Sequence, residues 1–392
     1  MRRTSPELPE SRRAEHVNQI AHRAVALHIV TRYQRGGSEQ RLRDLVAALP
    51  DVDHVVVVGS DSDAELASEH LGFAVEVDPH LVRSPRPVHD VHAVQSARAR
   101  IRQVRPDIVV THQSKAGVVG RIAARITGRV PVVHSLSMAS FGPGYGTAES
   151  TLFRWVERAL APLTARYVVV GADLARRFEV AGVASDKLAI VRSAATLPAA
   201  RPATPPKVEG IPDGRPVIVS LGALEERKNP LLLVPLLRRV HDQLPDAFLA
   251  VAGEGPLADA LRAAVDEAGL HDDVAILGYV KPTAPLLWRA DALVLLSNAE
   301  GLPQVLVQAA AAAGVPFVSY DVDGAREVLA LGAVGSVVPL GAVEAAADAL
   351  AHLLRTAPAG NRTVDVGSWD TDVIYSAYRK VVNDVVGVAH AG

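Results

Sequence analysis

Between residues 292 and 319 the chain leaves little choice of fold. Ala292 to Leu296 is an apolar run that reads as a buried parallel strand. A short loop, Ser297-Asn298-Ala299-Glu300-Gly301-Leu302, leads to Pro303, which suits the first turn of a helix because that turn has no use for its missing N–H. Helix formers fill Gln304 to Ala313, Gly314 stops them, and Val315 to Ser319 is a second strand. Strand, loop, helix, strand at this spacing is a right-handed crossover in an open parallel sheet. Ligands bind such sheets at the carboxyl ends of their strands, where Glu300 falls. The start of the following helix leaves unpaired N–H groups that favour an anion, commonly phosphate.

The same alternation recurs along the chain. Predicted strands cover Ala24–Val30, Val55–Gly59, Asp107–His112, Val130–Val133, Tyr167–Val170 and Leu188–Val191 in one half. In the other half they cover Val217–Leu221, Ala247–Ala252, Val274–Leu277, Asp291–Leu296, Val315–Ser319 and Val334–Val338. Between the halves, Pro198 to Pro216 carries six prolines, which is linker composition. The predicted organisation is an extension over 1–23, a first α/β domain over 24–199, a linker over 200–216, a second domain over 217–369, and a terminal helical segment over 370–392.

The Glu300 to Gly314 stretch, with Gly314-Val315-Pro316, resembles the C-terminal signature of family 4 retaining glycosyltransferases. That resemblance spans roughly residues 24 to 390 and implies the GT-B fold: two Rossmann-like α/β/α domains facing across a cleft, with a last helix crossing back to the first. In the family pattern two glutamates, seven residues apart, bracket the Gly-Leu-Pro turn. Glu300 fills the first position and Gln308 stands at the second.

At 392 residues two domains are the expectation. Hydrophobic content of 49% permits a large core, and a formal net charge of −2 argues against a general nucleic-acid binder. There is no cysteine, hence no disulfide framework and no thiolate zinc site, which fits the cytoplasm. No apolar run reaches the ~18 residues a membrane helix needs, and the polar first 23 residues do not read as a signal peptide. The Ala-, Val- and Arg-rich usage fits a bacterial biosynthetic enzyme. Oligomeric state stays open, homo-oligomers included.

In the first half, Gly36-Gly37 follows a strand and precedes a helix that Ser38 can cap. The resemblance assigns this loop to the donor diphosphate and the acceptor pocket; otherwise it is an ordinary capped turn. His112 and His134 end two predicted strands and so point to one crevice, or each merely caps its strand. The resemblance implies that His134 meets the donor sugar and places Gln113-Ser114-Lys115-Ala116-Gly117, with Lys115, near the acceptor. Ser140 to Thr147, rich in glycine and carrying Tyr145, reads as a loop at the cleft mouth, either an acceptor lid or plain surface. Two apolar stripes predict core faces: Val91, Val94, Ile101 and Val104 on one helix, and Val373, Ala377, Val381 and Val385 on the last, with Ile374 and Tyr378 beside them.

In the second half, Gly222-Ala223-Leu224 through Arg227-Lys228-Asn229 resembles the family's phosphate loop. Lys228 takes the position of the lysine that meets the leaving diphosphate, Ala223 replaces the family arginine, and Arg227 either reaches the same phosphates or faces water. The resemblance further implies that Gly278 and Val280 hold the base through backbone, and that the backbone of Gly301, Leu302, Pro303 and Gln304 receives phosphate. Four Asp-x-Asp triplets, at 51–53, 61–63, 321–323 and 370–372, mimic metal motifs at unrelated positions and are attributed to chance.

Departure of a nucleotide diphosphate leaves negative charge that cations and oriented N–H groups must stabilise. Lys228, Arg227 and the start of the Gln304 helix would supply this without a metal, and Glu300 is signed to answer positive charge on the sugar. The expected donor is a UDP- or GDP-type sugar, with no other cofactor, and the expected acceptor is a small or lipid-linked molecule, a natural product or thiol metabolite among the candidates. Gln308 and Ala223 keep two alternatives open: a sugar-nucleotide-binding pseudoenzyme acting as a partner subunit, and a GT-B epimerase.

Overall fold

The computed structural model describes residues 23–34, 37–194, 197, 201–356 and 364–391, without the side chains of 37, 38, 312, 313 and 388–391. Gly36, the side chain of Ser38, nearly all of the N-terminal extension and the start of the linker lie outside the described residues.

Two parallel sheets carry the fold. The first is built from β1 (Val25–Val30), β2 (Asp53–Gly59), β3 (Glu76–Asp78), β4 (Ile108–His112), β5 (Val132–Leu136), β6 (Arg166–Val169) and β7 (Leu188–Ile190), in the spatial order β3-β2-β1-β4-β5-β6-β7. The second holds β8 (Val217–Leu221), β9 (Phe248–Ala252), β10 (Val274–Gly278), β11 (Ala292–Leu295), β12 (Phe317–Tyr320) and β13 (Gly335–Val338), in the order β10-β9-β8-β11-β12-β13. Each order reverses direction once, between β1 and β4 and between β8 and β11, so each sheet opens one crevice at its carboxyl edge. The central strands are continuous apolar runs because helices cover both faces; every residue of β4, β5, β9, β11 and β12 is buried.

The helices that place functional groups are α1 (Gly37–Ala48), α2 (Ala64–Leu71), α3 (Pro87–Val104), α4 (Ser114–Thr127), α5 (Thr147–Leu160) and α6 (Ala172–Val180) in the first half. The second half has α7 (Leu233–His241), α8 (Ala258–Glu267), α9 (Ala284–Arg289), α10 (Gln304–Ala313), α11 (Ala325–Ala330) and α12 (Val343–Thr356). The last helix, α13 (Thr371–Ala391), returns to the first half. Its Ile374, Tyr378, Val381, Val382 and Val385 pack with Ala26, Leu45, Ile108 and Val110, sealing one face of the first sheet.

Two predicted core stripes hold except at their first residue. On α13, Val381 and Val385 are buried with Ile374 and Tyr378, while Val373 is 52% exposed. On α3, Ile101 is buried and Val94 packs against the core, joined by the small Ala93 and Ala97, while Val91 is 57% exposed.

Candidate active site

The carboxyl ends of β8 and β11 bring three loops together. Gly253 approaches so closely that an added Cβ would stand 1.8 Å from the Gly222 carbonyl oxygen, and Gly255 would meet the Leu224 carbonyl at 2.4 Å. With φ of +152° and +159°, both glycines also adopt backbone that other residues rarely take. The tight pass lets Glu226–Lys228 form a single 3-10 turn beside the β11 loop. Asn229 pins the two loops, donating to the Leu296 carbonyl at 2.8 Å and to Asn298 Oδ1 at 2.7 Å, while the Asn298 N–H donates to the Arg227 carbonyl at 2.8 Å.

Held in this way, Lys228 Nζ donates directly to Glu300 Oε1. Arg227 Nη1 reaches the same oxygen at 3.3 Å and the Ala299 carbonyl at 2.8 Å, and its Nη2 pairs with Glu225 at 2.7 Å. Arg227 therefore turns into the site while its side chain stays 32% exposed. Burial pushes the Glu300 carboxyl up, but the Lys228 and Arg227 charges outweigh it and hold it below the usual carboxylate range. It is an anion at neutral pH with two cations on one side.

Helix α10 starts immediately beyond. Pro303 lies just before the first turn rather than within it, and no side chain caps the helix, so the N–H groups of its first turn have no side-chain acceptor. Gln304 Oε1 is buried without a hydrogen-bond partner at that helix start. Gln308 follows Gln304 by one helical turn, half-buried. Gly222 lies beneath the Lys228 side chain, its nearest atom 3.8 Å from an added Cβ. Gly278 ends β10 with φ +68° and accepts the Gly253 N–H at 2.7 Å, with the half-buried Val280 two residues on.

The first half faces this cluster. One hollow is lined by Phe141, Tyr145 and Arg177 from the first half and by Asn298, Glu300 and Asp323 from the second. Gly144 and Gly301 permit the approach: a Cβ on Gly301 would lie 1.8 Å from the Ser137 carbonyl oxygen, and one on Gly144 would lie 2.3 Å from that of Asn298. Tyr145 is thus at the site; burial pushes its phenol up, with Arg227 opposing. A polar clamp closes the far side. Arg177 Nε donates to Asp323 at 2.7 Å, Arg192 Nη1 to Glu327 at 3.1 Å, the Asp173 N–H to Glu327 at 2.9 Å, and the Gly324 N–H to Asp173 at 3.1 Å.

In the sequence Asp323 to Glu327 resembles the family's Gly-Gly-x-x-Glu turn and Asp321-Val322-Asp323 a chance motif, but neither reading shows the arginines that clamp them. Asp323 is held by Arg177, Asp321 by Arg326 at 2.9 Å, and Asp63 caps α2 by accepting the Leu66 N–H at 2.9 Å. Those carboxylates have structural partners.

His134 requires a correction. Strand β5 runs two residues past His134, which therefore lies mid-strand and is fully buried. Its ring rests on Gly117, where a Cβ would come within 2.3 Å of it; Nδ1 bonds Thr111 Oγ1 at 2.8 Å and Nε2 stands 4.0 Å from Glu157. Glu157 is taken bidentately by the buried Arg121 at 2.8 Å. Burial, then the Arg121 charge, holds His134 well below the usual histidine range, so it is a neutral, fully buried core residue in this structure. The residue that reaches the cleft from this strand is Ser137, through its carbonyl against Gly301. Lys115 is likewise occupied within the first half, donating to the Ser84 carbonyl at 2.6 Å and pairing with Asp90. His112 ends β4 as predicted, is 4% exposed, and bonds His28.

Two family models match successive parts of the chain: a glycosyl transferase 4-like domain over residues 36–194 and glycosyl transferases group 1 over residues 204–365. The chain belongs to the group 1, family 4-like glycosyltransferases. Among curated relatives it is 26% identical over 255 residues to the UDP-Gal:alpha-D-GlcNAc-diphosphoundecaprenol alpha-1,3-galactosyltransferase of Escherichia coli, covering 63% of this chain and 66% of that one. It is 32% identical over 224 residues to the phosphatidyl-myo-inositol mannosyltransferase of Mycobacterium leprae, covering 54% and 58%. The matches thus span two thirds or less of these relatives' lengths. The Anabaena protein HepE, solved with UDP and glucose, superposes with a TM-score of 0.65 at 18% identity, over 93% of this chain and 96% of that one. That likeness establishes the GT-B architecture, with the two sheets as its two domains. No helix among the described residues is long and apolar enough to cross a membrane.

Proposed function

We propose that this glycosyltransferase moves a sugar from a nucleoside diphosphate sugar to a hydroxyl-bearing acceptor, with retention at the anomeric carbon and without a metal ion. The observation that carries the reading is the Lys228–Glu300–Arg227 cluster beside the uncapped start of α10. A diphosphate laid against that helix start meets N–H donors and the Lys228 ammonium together. The C1–oxygen bond breaks with its electron pair going to the diphosphate. The acceptor oxygen bonds C1 on the same face, and its proton passes to the departing phosphate. Glu300 faces the sugar, positioned to hold its hydroxyls and to offset its positive charge. The names of the two relatives specify a lipid-linked diphosphate sugar and a phosphatidylinositol, which supports the lipid-linked alternative for the acceptor.

A pseudoenzyme reading is favoured by two residues, Gln308 and Ala223, each neutral where the family pattern has a charge. Thermal-shift titration with UDP, GDP, TDP and ADP, followed by slow hydrolysis of the matching sugar donor, separates the two. An active transferase shows both; a pseudoenzyme shows binding alone; no diphosphate binding would overturn the donor site. Asp321 and Asp323 are each held by an arginine, so EDTA is expected to leave turnover unchanged.

A further inference from the structure

A row of three imidazoles crosses the face of the first sheet. His54 Nε2 lies 3.1 Å from the Leu49 carbonyl oxygen, His54 Nδ1 lies 3.0 Å from His28 Nε2, and His28 Nδ1 lies 3.2 Å from His112 Nε2. The carbonyl fixes the direction of the row. It can only accept, so His54 carries its proton on Nε2. A neutral imidazole has one N–H, so His54 Nδ1 must accept, and His28 must donate from Nε2. His28 Nδ1 then accepts, and His112 donates from Nε2. Burial holds all three below the usual histidine range, His112 at about 3, which keeps one proton on each ring.

We propose that His54 and His28 are positioning residues that lock His112 in the Nε2–H tautomer and so commit His112 Nδ1 to accept a proton-bearing group of the acceptor, a hydroxyl or an ammonium. His112 is the last residue of β4 and pairs in the ladder with Val30, the last residue of β1. These are the two strands between which the sheet order reverses, so the row ends at the crevice of the first domain. Gln113 fastens the two strand ends at that point, accepting the Arg32 N–H and donating to the Arg32 carbonyl, both at 3.0 Å. Among the described residues no other group bonds His112 Nδ1. The Arg41 guanidinium, buried nearby on Ser135 Oγ and the Val191 carbonyl, opposes a proton on His112. His112 therefore orients an acceptor hydroxyl without deprotonating it, and the proton leaves by the phosphate route. The ligand half of this inference rests on the proposed function; the tautomer half does not.

The test uses the full chain labelled with nitrogen-15 in histidine, read by long-range proton–nitrogen correlation, with His112 assigned through His112→Gln. All three rings are expected as Nε2–H. In His28→Leu, His112 loses its acceptor and is expected to become a mixture of tautomers. Saturating myo-inositol, the polyol probe, is expected to shift His112 Nδ1 as an acceptor of a hydrogen bond, and His28→Leu to weaken that binding about three- to tenfold. An Nδ1–H signal for wild-type His112 overturns the relay, and this reading needs only the His112→Gln assignment variant beside the wild-type chain. An Nδ1 signal unmoved by myo-inositol overturns the ligand assignment. Neither result depends on whether a nucleoside diphosphate binds.

Discussion

Lys228 and Glu300, 72 residues apart in the chain, form one ion pair at the junction of the two strands where the second sheet reverses order. The pair is poised rather than final, because Arg227 also holds Glu300 and leaves Lys228 able to turn to an incoming phosphate. Lys228→Ala is therefore expected to keep the fold and to lose most of the diphosphate-induced thermal shift. A charge-assisted contact contributes about 1.5–3 kcal/mol, so affinity should fall roughly 10- to 100-fold. Calorimetric titration with the stabilising diphosphate checks this; unchanged affinity would remove Lys228 from the donor site.

Glu300→Gln keeps the side chain's shape and removes its charge. Donor binding should change little, while turnover falls about 100-fold or more if the carboxylate answers charge on the sugar. Wild-type rates of donor hydrolysis in this variant would contradict that role.

Why one half of the site was legible and the other was not follows from how each is built. Glu300, Lys228 and the α10 start belong to short local motifs whose residue types carry the chemistry by themselves. Tyr145 was recognisable because a glycine-rich loop had to lie at an opening. His134 was misread because the end of a buried strand has no sharp signal: Ser135 and Leu136 extend β5 by two residues, and that shift buried the ring. The Arg177–Asp323 and Arg192–Glu327 pairs join residues 146 and 135 positions apart, and no local pattern encodes such a meeting. His28 sat within a quoted strand, yet only the ladder shows that it stands between His54 and His112.

Gln308→Glu restores the charge of the family pattern. If this residue faces the nucleotide ribose, replacing a neutral hydrogen bond by a charged one should tighten diphosphate binding about tenfold. Binding that weakens or stays the same would argue that this chain has reshaped its ribose contact around the amide.

Gly301 and Gly144 bring the two halves into contact, so closure should be sensitive to one methyl group. In Gly301→Ala the new Cβ would meet the Ser137 carbonyl at 1.8 Å, backbone against backbone, with no flexible side chain to yield. The halves must separate locally. Expected results are a larger radius of gyration by small-angle scattering with donor present, and turnover reduced by more than tenfold. The buried strands of both sheets are untouched by the change, so the unfolding transition should persist. An unchanged radius together with unchanged turnover would show that this contact is not part of the working state.

The buried histidines predict how the protein fails in acid. His28, His112 and His134 have folded-state pKa values below the usual range because burial excludes charge, with His112 at about 3. Once unfolded, each takes up a proton near pH 6.5. The unfolded chain therefore binds more protons than the folded one as pH drops from about 6.5 toward about 3, and stability falls through that window. His112 alone contributes a loss of about 1.4 kcal/mol per pH unit, and His28 and His134 act in the same direction. Glu300 acts in the same direction in a lower window, since its lowered pKa gives stability that is present above the ordinary carboxylate value and lost as pH falls below it. Denaturant unfolding followed from pH 7 to pH 5 should show the midpoint falling steeply before carboxylates titrate. His28→Asn removes one of the three imidazoles and should flatten the slope by about one proton, whereas a slope equal to wild type would mean that His28 is already charged in the folded chain.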